Sequence, residues 1–324
     1  MLNPPSVESS AVPAATLCSS PALVVLHTAE ALRVYRRQCT GAVVLVPTMG
    51  NLHRGHMALI QQAKQQGQHV IVSIFVNPTQ FGPTEDYDRY PRTLEPDIAL
   101  LKEQGLGQGD AIFAPSVETL YPEGLYFAAD EKQTALGTMV VPPTTLSHRY
   151  CGANRPGHFT GVATVVLKLF NLVQPTHAVF GEKDAQQVAV LQQMLRDLCL
   201  PVTLITVPVV RDADGLALSS RNQYLNGDEE RQLALCLSRL IVGLKKRLHT
   251  PTQLAPVLAT VAQEVLLNEV YPCLPASLQA RPEWHYIEAV DPNTWQPQQT
   301  LQQGSRLLLA AKVGTVRLID TALL

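Results

Sequence analysis

Apolar residues along this chain gather into short β-branched runs, separated by segments whose apolar positions recur every three or four residues. The run Val43 to Val46 stops at Pro47 and turns through Gly50, which predicts a buried strand leading into a helix. The runs His69–Val76, Ala111–Ala114, Ala178–Phe180 and Val202–Val210 share its character and predict further strands. Between them, Ala29–Gln38 behind the N-cap Thr28, Glu95–Gln104, and a segment from Gln186 to about Leu200 carry helical spacing. Val162–Val173 is apolar all round and predicts a helix buried between layers. Strand and helix alternate as in an α/β fold, a Rossmann-like doubly wound parallel sheet. Beyond Val210 the order changes: two amphipathic helices, Gly227–Leu248 and Leu254–Val270, precede three strands, Trp284–Val290, Arg306–Val313 and Val316–Asp320. A smaller C-terminal α+β domain is therefore expected over 210–324, able to close as a lid on a ligand-binding domain spanning 22–209. Val140-Val141-Pro142 is expected to add an edge strand, and Tyr121 to Gly137 a polar excursion. Residues 1–21, rich in Ser, Pro and Ala, read as a flexible leader, with a degenerate transit peptide as a reading weakened by the lack of arginine.

Composition narrows the function classes. A length of 324 residues leaves room for two domains. With 25 Lys+Arg against 27 Asp+Glu, the net charge of −2 offers no electrostatic footprint for nucleic acid. No apolar run is long enough to span a bilayer, and no charged segment precedes an apolar core at the N-terminus. The six cysteines are scattered without a Cys-x-x-Cys pair, which suits a reduced compartment. The expectation is a cytoplasmic protein with small-molecule partners, and neither nucleic acid nor membrane among them.

The chemistry gathers after the strands. His53 and His56 sit at i, i+3 where a strand runs into a helix N-terminus, the place where open α/β folds hold anions on free amides. Phosphate ligation is one reading of them; a fragment of a metal site or ordinary surface histidines are the others. Asn77 and Gln80 follow the second strand, and are either site residues or a plain Asn-Pro turn. The charged loop Glu85 to Arg92 reads as a solvated surface, with Glu95 or Asp97 as minority magnesium candidates. Arg155 and His158, before the apolar helix, are candidates for binding a carboxylate or phosphate, or else surface caps. Gly181-Glu182-Lys183-Asp184 supplies a cation for phosphate and a carboxylate for ribose hydroxyls. Ser219-Ser220-Arg221, in a Gly-containing loop, suits a triphosphate. Neither Gly-x-x-x-x-Gly-Lys-Ser/Thr nor Gly-x-Gly-x-x-Gly occurs, which argues against the phosphate-loop kinases and the standard dinucleotide dehydrogenases.

Taken in order, Pro47-Thr48-Met49-Gly50-x-Leu52-His53-x-Gly55-His56, Phe75-Val76-Asn77-Pro78-x-Gln80-Phe81, Arg155-Pro156-x-His158-Phe159, Gly181-Glu182-Lys183-Asp184 and Leu218-Ser219-Ser220-Arg221-Asn222 resemble the pantothenate synthetase (pantoate–β-alanine ligase) family, within the nucleotidyltransferases similar to class I aminoacyl-tRNA synthetases. The resemblance runs from about Leu26 to Asp320. It implies ATP-dependent joining of pantoate and β-alanine through an acyl adenylate, with Mg²⁺ accompanying ATP and a homodimer as the assembly. By the same resemblance, His53, His56, Lys183, Ser219, Ser220 and Arg221 act on the phosphates, and the Met49 amide helps at the turn. Gly181 and Asp184 face ribose, while Val210 and Leu218 lie near adenine. Pro47, Met49, Asn77, Gln80 and Gln187 bind pantoate, Arg155 and His158 the β-alanine carboxylate, and Asp97 stands as the metal candidate. Leu218 replaces the family's usual Met, and Ala185 stands where an aromatic residue is common. Some relatives carry a cytidylate-kinase domain after this one. A different nucleotidyltransferase, wanting more basic residues for an acceptor phosphate, and a non-catalytic nucleotide binder are the competing readings. Size and the absence of a basic surface exclude a tRNA synthetase.

Overall fold

The computed structural model describes residues 22–83, 85–124, 137–248, 257–275, 278 and 280–324. The expected leader and most of the polar excursion lie outside the described residues. Six parallel strands, β1 (Val24–Leu26), β2 (Val43–Thr48), β3 (His69–Ile74), β4 (Ala111–Phe113), β5 (His177–Gly181) and β6 (Thr203–Val207), form one sheet in the order β1-β4-β3-β2-β5-β6. Chain order runs outward from β2 in one direction and then resumes at β5 in the other, so the switch point of the sheet lies between these two strands. Crevices at such points, past the carboxyl ends of the strands, are where open α/β sheets bind ligands.

Helices cover both faces. On one face α1 (Ala29–Gln38), α4 (His158–Val173) and α5 (Ala185–Asp197) bury Leu32, Tyr35, Val162, Leu169 and Leu191 against the sheet. On the other, α2 (Arg54–Gln66) and α3 (Leu94–Glu103) contribute Met57, Ile60 and Leu101. The continuous hydrophobicity of α4 has its reason here, since ten of its 16 residues are buried. The doubly wound sheet expected from the alternating pattern is thus present.

The chain then builds a second core. α6 (Gly227–Leu248) and α7 (Leu258–Val265) pack on an antiparallel sheet of β7 (Glu283–Val290), β8 (Pro297–Gln298), β9 (Arg306–Val313) and β10 (Val316–Leu323), in the order β10-β9-β7-β8. The two units meet where Ala185 and Ala189 of α5 pack on Val290, Trp295 and Leu308. Small residues at 185 and 189 let the helix approach the sheet, and Ala185 needs no aromatic ring for this contact. One expected strand is absent: Val140 to Pro142 pairs with no strand, and the Val140 amide instead donates to Thr164 Oγ1 of α4 at 2.9 Å.

Candidate active site

The site begins with the turn between β2 and α2. Gly50 has φ +79°, a backbone conformation that favours glycine, and a Cβ there would crowd Asp97 Oδ2 at 3.0 Å. Asp97, 3% exposed, lies beneath the turn: Oδ2 accepts from the Asn51 amide at 3.0 Å and from Thr93 Oγ1 at 3.1 Å, while Oδ1 accepts from the Leu52 amide at 2.8 Å. This corrects the magnesium expectation for Asp97, because both carboxylate oxygens are already engaged and the group is closed off beneath backbone. Glu95, the other candidate, is exposed. Asp97→Ala leaves two backbone donors of the turn without partners, at about 1–3 kcal/mol each, and denaturant unfolding should register that loss.

The turn delivers two histidines in a fixed protonation state. His53 is the N-cap of α2, and its Nδ1 accepts from the Gly55 amide at 3.1 Å; Nδ1 of His56 accepts from the His53 amide at 3.2 Å. A nitrogen that accepts from an amide carries no proton, so in both neutral rings the proton resides on Nε2. Burial, with the Lys183 charge nearby, lowers the His53 pKa to about 4. Burial, then His53 and Lys183, lowers that of His56 to about 3. Two uncharged rings, 4.1 Å apart, therefore offer Nε2–H donors at a helix N-terminus.

The opposite wall is set by Asn77, 1% exposed. Its amide donates to Gln80 Oε1 at 3.1 Å and to the Gly161 carbonyl at 3.2 Å, and its Oδ1 accepts from Thr79 and Tyr121 hydroxyls at 3.0 and 2.8 Å. Close approach of α4 makes this possible, since a Cβ at Gly161 would sit 2.3 Å from the Thr79 carbonyl oxygen. Gln80 Nε2 is thereby turned toward Met49 Sδ, 3.0 Å away.

Arg155 and His158 support that wall from behind. His158 Nδ1 donates to the Gln80 carbonyl at 2.7 Å and its Nε2 accepts from Arg155 at 3.0 Å; burial, then the Arg155 charge, holds its pKa well below the ordinary value. Arg155 in turn forks onto both oxygens of Glu85, each at 2.6 Å. The sequence expectation that these two bind a substrate carboxylate meets side chains already committed within the protein. Arg221 is similarly forked onto Asp86, at 3.1 and 2.9 Å. Glu85 and Asp86 are accordingly not solvated surface, although Asp88 and Arg89 of the same loop are exposed. Burial opposes ionisation of Glu85 and Asp86, but the arginine bonds outweigh it and both pKa values are lowered.

Three adjoining compartments result. One joins His53, His56, Gly181, Lys183 and Ser219–Arg221 to an apolar strip of Val207–Val210 and Leu218. The second joins Pro47, Met49, Asn77 and Gln80 to apolar side chains of α4. A third lies between the start of α5 and the small sheet, and includes Arg155, His158 and Lys183. Asp184, Gln187 and Arg221 line all three, and mark where they meet. Thus the sequence-selected residues come together, Asp97 excepted. Tyr90, buried between the first two compartments, was not selected; burial raises its hydroxyl pKa. Its position in a charged loop gave no sequence signal.

A parallel sheet whose switch point presents neutral imidazoles, a lysine and a Ser-Ser-Arg turn to one cleft defines the class as open α/β proteins with an anion-binding site past the carboxyl ends of the strands. Among these, the chain belongs to the pantoate-beta-alanine ligase family, whose model matches residues 24–323. It is 47% identical over 300 residues to a pantothenate synthetase of Thermobifida fusca, covering 92% of this chain and 94% of that protein. It is also 46% identical over 288 residues to a bifunctional pantoate ligase/cytidylate kinase of Acaryochloris marina, covering 88% of this chain and 49% of that one. The chain thus spans about half the length of the bifunctional relatives it matches. Among solved structures, a pantothenate synthetase from Thermus thermophilus superposes with a TM-score of 0.79 at 40% identity, over 93% of this chain and 99% of that one. A pantoate-beta-alanine ligase from Francisella tularensis, complexed with beta-gamma ATP and beta-alanine, gives 0.70 at 32%, over 93% and 98%.

Proposed function

We propose that this chain joins pantoate and β-alanine at the expense of ATP, through a pantoyl adenylate, releasing pyrophosphate and AMP. The observation carrying the proposal is the convergence of three compartments on Asp184, Gln187 and Arg221, one compartment for each substrate. In the first, the apolar strip with Val210 and Leu218 suits adenine, Gly181 and Asp184 the ribose, and the imidazoles, Lys183, Ser219, Ser220 and Arg221 the phosphates. In the second, Gln80 and Gln187 suit the hydroxyl and carboxylate of pantoate, and Pro47, Met49 and α4 its branched carbon. Asn77 acts there by fixing Gln80.

A pantoate oxygen attacks the α-phosphorus of ATP; a new P–O bond forms, the bond to the bridging oxygen breaks, and pyrophosphate leaves. The amine of β-alanine, having lost a proton to water, then attacks the acyl carbon. A C–N bond forms, the C–O bond to AMP breaks, and the second amine proton is released. Charge gathers on the phosphates in the first step, so donors fixed beforehand by the α2 cap and the Gly181–Asp184 turn lower its barrier. Mg²⁺ would accompany ATP as counter-ion to its phosphates and would neutralise charge gathering there. Residues 210–324 serve as a lid whose closure excludes water from the adenylate. Family resemblance supports a homodimer, and the scattered cysteines support a reduced, cytoplasmic compartment; no helix among the described residues is long and apolar enough to cross a membrane.

The decisive assay measures pyrophosphate released from MgATP with pantoate alone, then AMP and pantothenate after β-alanine is added. Pyrophosphate first, with AMP only after the amine, is the expected order. Absence of pantoate-dependent pyrophosphate from folded, ATP-binding protein overturns the proposal.

A further inference from the structure

We infer that Arg317 of β10 holds the carboxylate of β-alanine in the third compartment, an inference that rests on the function proposed above. This compartment is the smallest of the three, about 60 Å³ against about 190 Å³ for each of the others, which suits the smallest substrate. Four cationic side chains line it: Arg155, Lys183, Arg221 and Arg317. Arg155 is neutralised by Glu85 and Arg221 by Asp86. Lys183 is shared with the nucleotide compartment, where phosphate claims it.

Arg317 differs from all three. Among the described residues it has no carboxylate partner; its Nη2 reaches Cys151 Sγ at 3.4 Å, its Nε reaches His285 Nδ1 at 3.3 Å, and the guanidinium carbon lies 5.9 Å from the centre of the Tyr286 ring. These neighbours hold the guanidinium in place without cancelling its charge. A half-buried cation left this way is costly unless an anion completes it. Guanidinium matches carboxylate through two parallel hydrogen bonds, a geometry that an ammonium group cannot reproduce. Anchored there, an amine two methylenes from its carboxylate shares a compartment with Asp184 and Gln187, which line all three compartments and mark where the acyl carbon is expected. Because Arg317 belongs to the small sheet while Arg155, Asp184 and Gln187 belong to the unit built on the large one, the amine site is complete only when both units are in place.

The test separates the two half-reactions. With R317A, pantoate-dependent pyrophosphate release should persist within about threefold of wild type. The KM for β-alanine should rise at least about thirtyfold, the loss of a charged bidentate pair at roughly 2 kcal/mol. The companion measurement uses propylamine, in which a methyl group replaces the carboxylate: the wild type strongly prefers β-alanine, and R317A loses that preference. A merely structural role for Arg317 would depress both amines alike. R317K, keeping charge without the fork, should fall between. Should R317A fail to fold, R317Q carries the same comparison with closer shape. A β-alanine KM within threefold of wild type, or a retained preference over propylamine, overturns the inference. Absence of pantoate-dependent pyrophosphate from the wild type would instead overturn the proposed function.

Discussion

Lys183→Ala should lower pantoate-dependent pyrophosphate release by about a thousandfold or more, roughly 4 kcal/mol of transition-state stabilisation, while leaving the unfolding midpoint in place. The two halves of this expectation have separate grounds. Lys183 lies in the short turn Glu182–Asp184 past the carboxyl end of β5, and lines both the nucleotide compartment and its neighbour. Among the described residues its ammonium group has no hydrogen-bond or carboxylate partner, so truncation removes no internal contact of that group. Its worth is reserved for phosphate. The arginine at 221, by contrast, already carries Asp86, and its truncation would strand that carboxylate and confound activity with stability. Lys183 is therefore the cleaner probe. Single-turnover pyrophosphate release beside a thermal unfolding trace makes the measurement; a rate within tenfold of wild type removes Lys183 from the chemistry. K183R should recover only part of the rate, because a planar fork does not replace a compact point charge.

How far the site was legible in the sequence depended on the range of each interaction. The strand, turn and helix from Val43 to Gln66 are specified by neighbours: β-branched residues, a proline, a glycine that must take positive φ, and two histidines one helical turn apart. These were readable, and the structure follows them, extending β2 to Thr48. The strands β1 and β8, of three and two residues, are too short to show a period and were not foreseen. Partners distant along the chain were likewise unreadable. Glu85 and Asp86 look like solvated surface until the fold brings Arg155 and Arg221, 70 and 135 residues away, onto them. The same pairing gives Arg155 a partner within the protein that its sequence position did not announce. Asp97 failed as a metal candidate for a related reason: nothing in its own helix announces that the Asn51 and Leu52 amides, some 45 residues earlier, point at its carboxylate. Local pattern located the groups that bear chemistry, and tertiary pairing decided which of them remain available for it.

The histidines allow the sharpest division between architecture and catalysis, because one ring nitrogen serves each. His56→Asn places an amide oxygen near the position of Nδ1, so it can still accept from the His53 amide and preserve the cap, but it removes the Nε2–H donor. His56→Gln places an amide nitrogen near the position of Nε2 and keeps a donor toward phosphate, while losing the cap contact. The expected result is a crossed pattern. H56N should retain stability and lose about a hundredfold to a thousandfold in adenylation rate; H56Q should keep more of the rate and less of the stability. His53→Ala loses both functions and should abolish adenylation, though its product remains foldable because a single N-cap costs about 1 kcal/mol. The pH dependence follows from the same geometry. With pKa values near 4 and 3, both rings stay neutral from pH 8 down to about 5, so the adenylation rate should show no step attributable to their titration across that range. Stability behaves otherwise. The unfolded chain takes up protons on these residues below about 6.5, where the folded one does not, so their contribution is fully present above 6.5 and declines as pH falls toward 4. Each contributes a slope of up to about 1.4 kcal/mol per pH unit. H56N should flatten that slope by one histidine's share in urea unfolding between pH 4 and 6.5. An unchanged slope would mean that His56 is solvated in the folded protein, and that its Nε2–H is not the fixed donor on which adenylation depends.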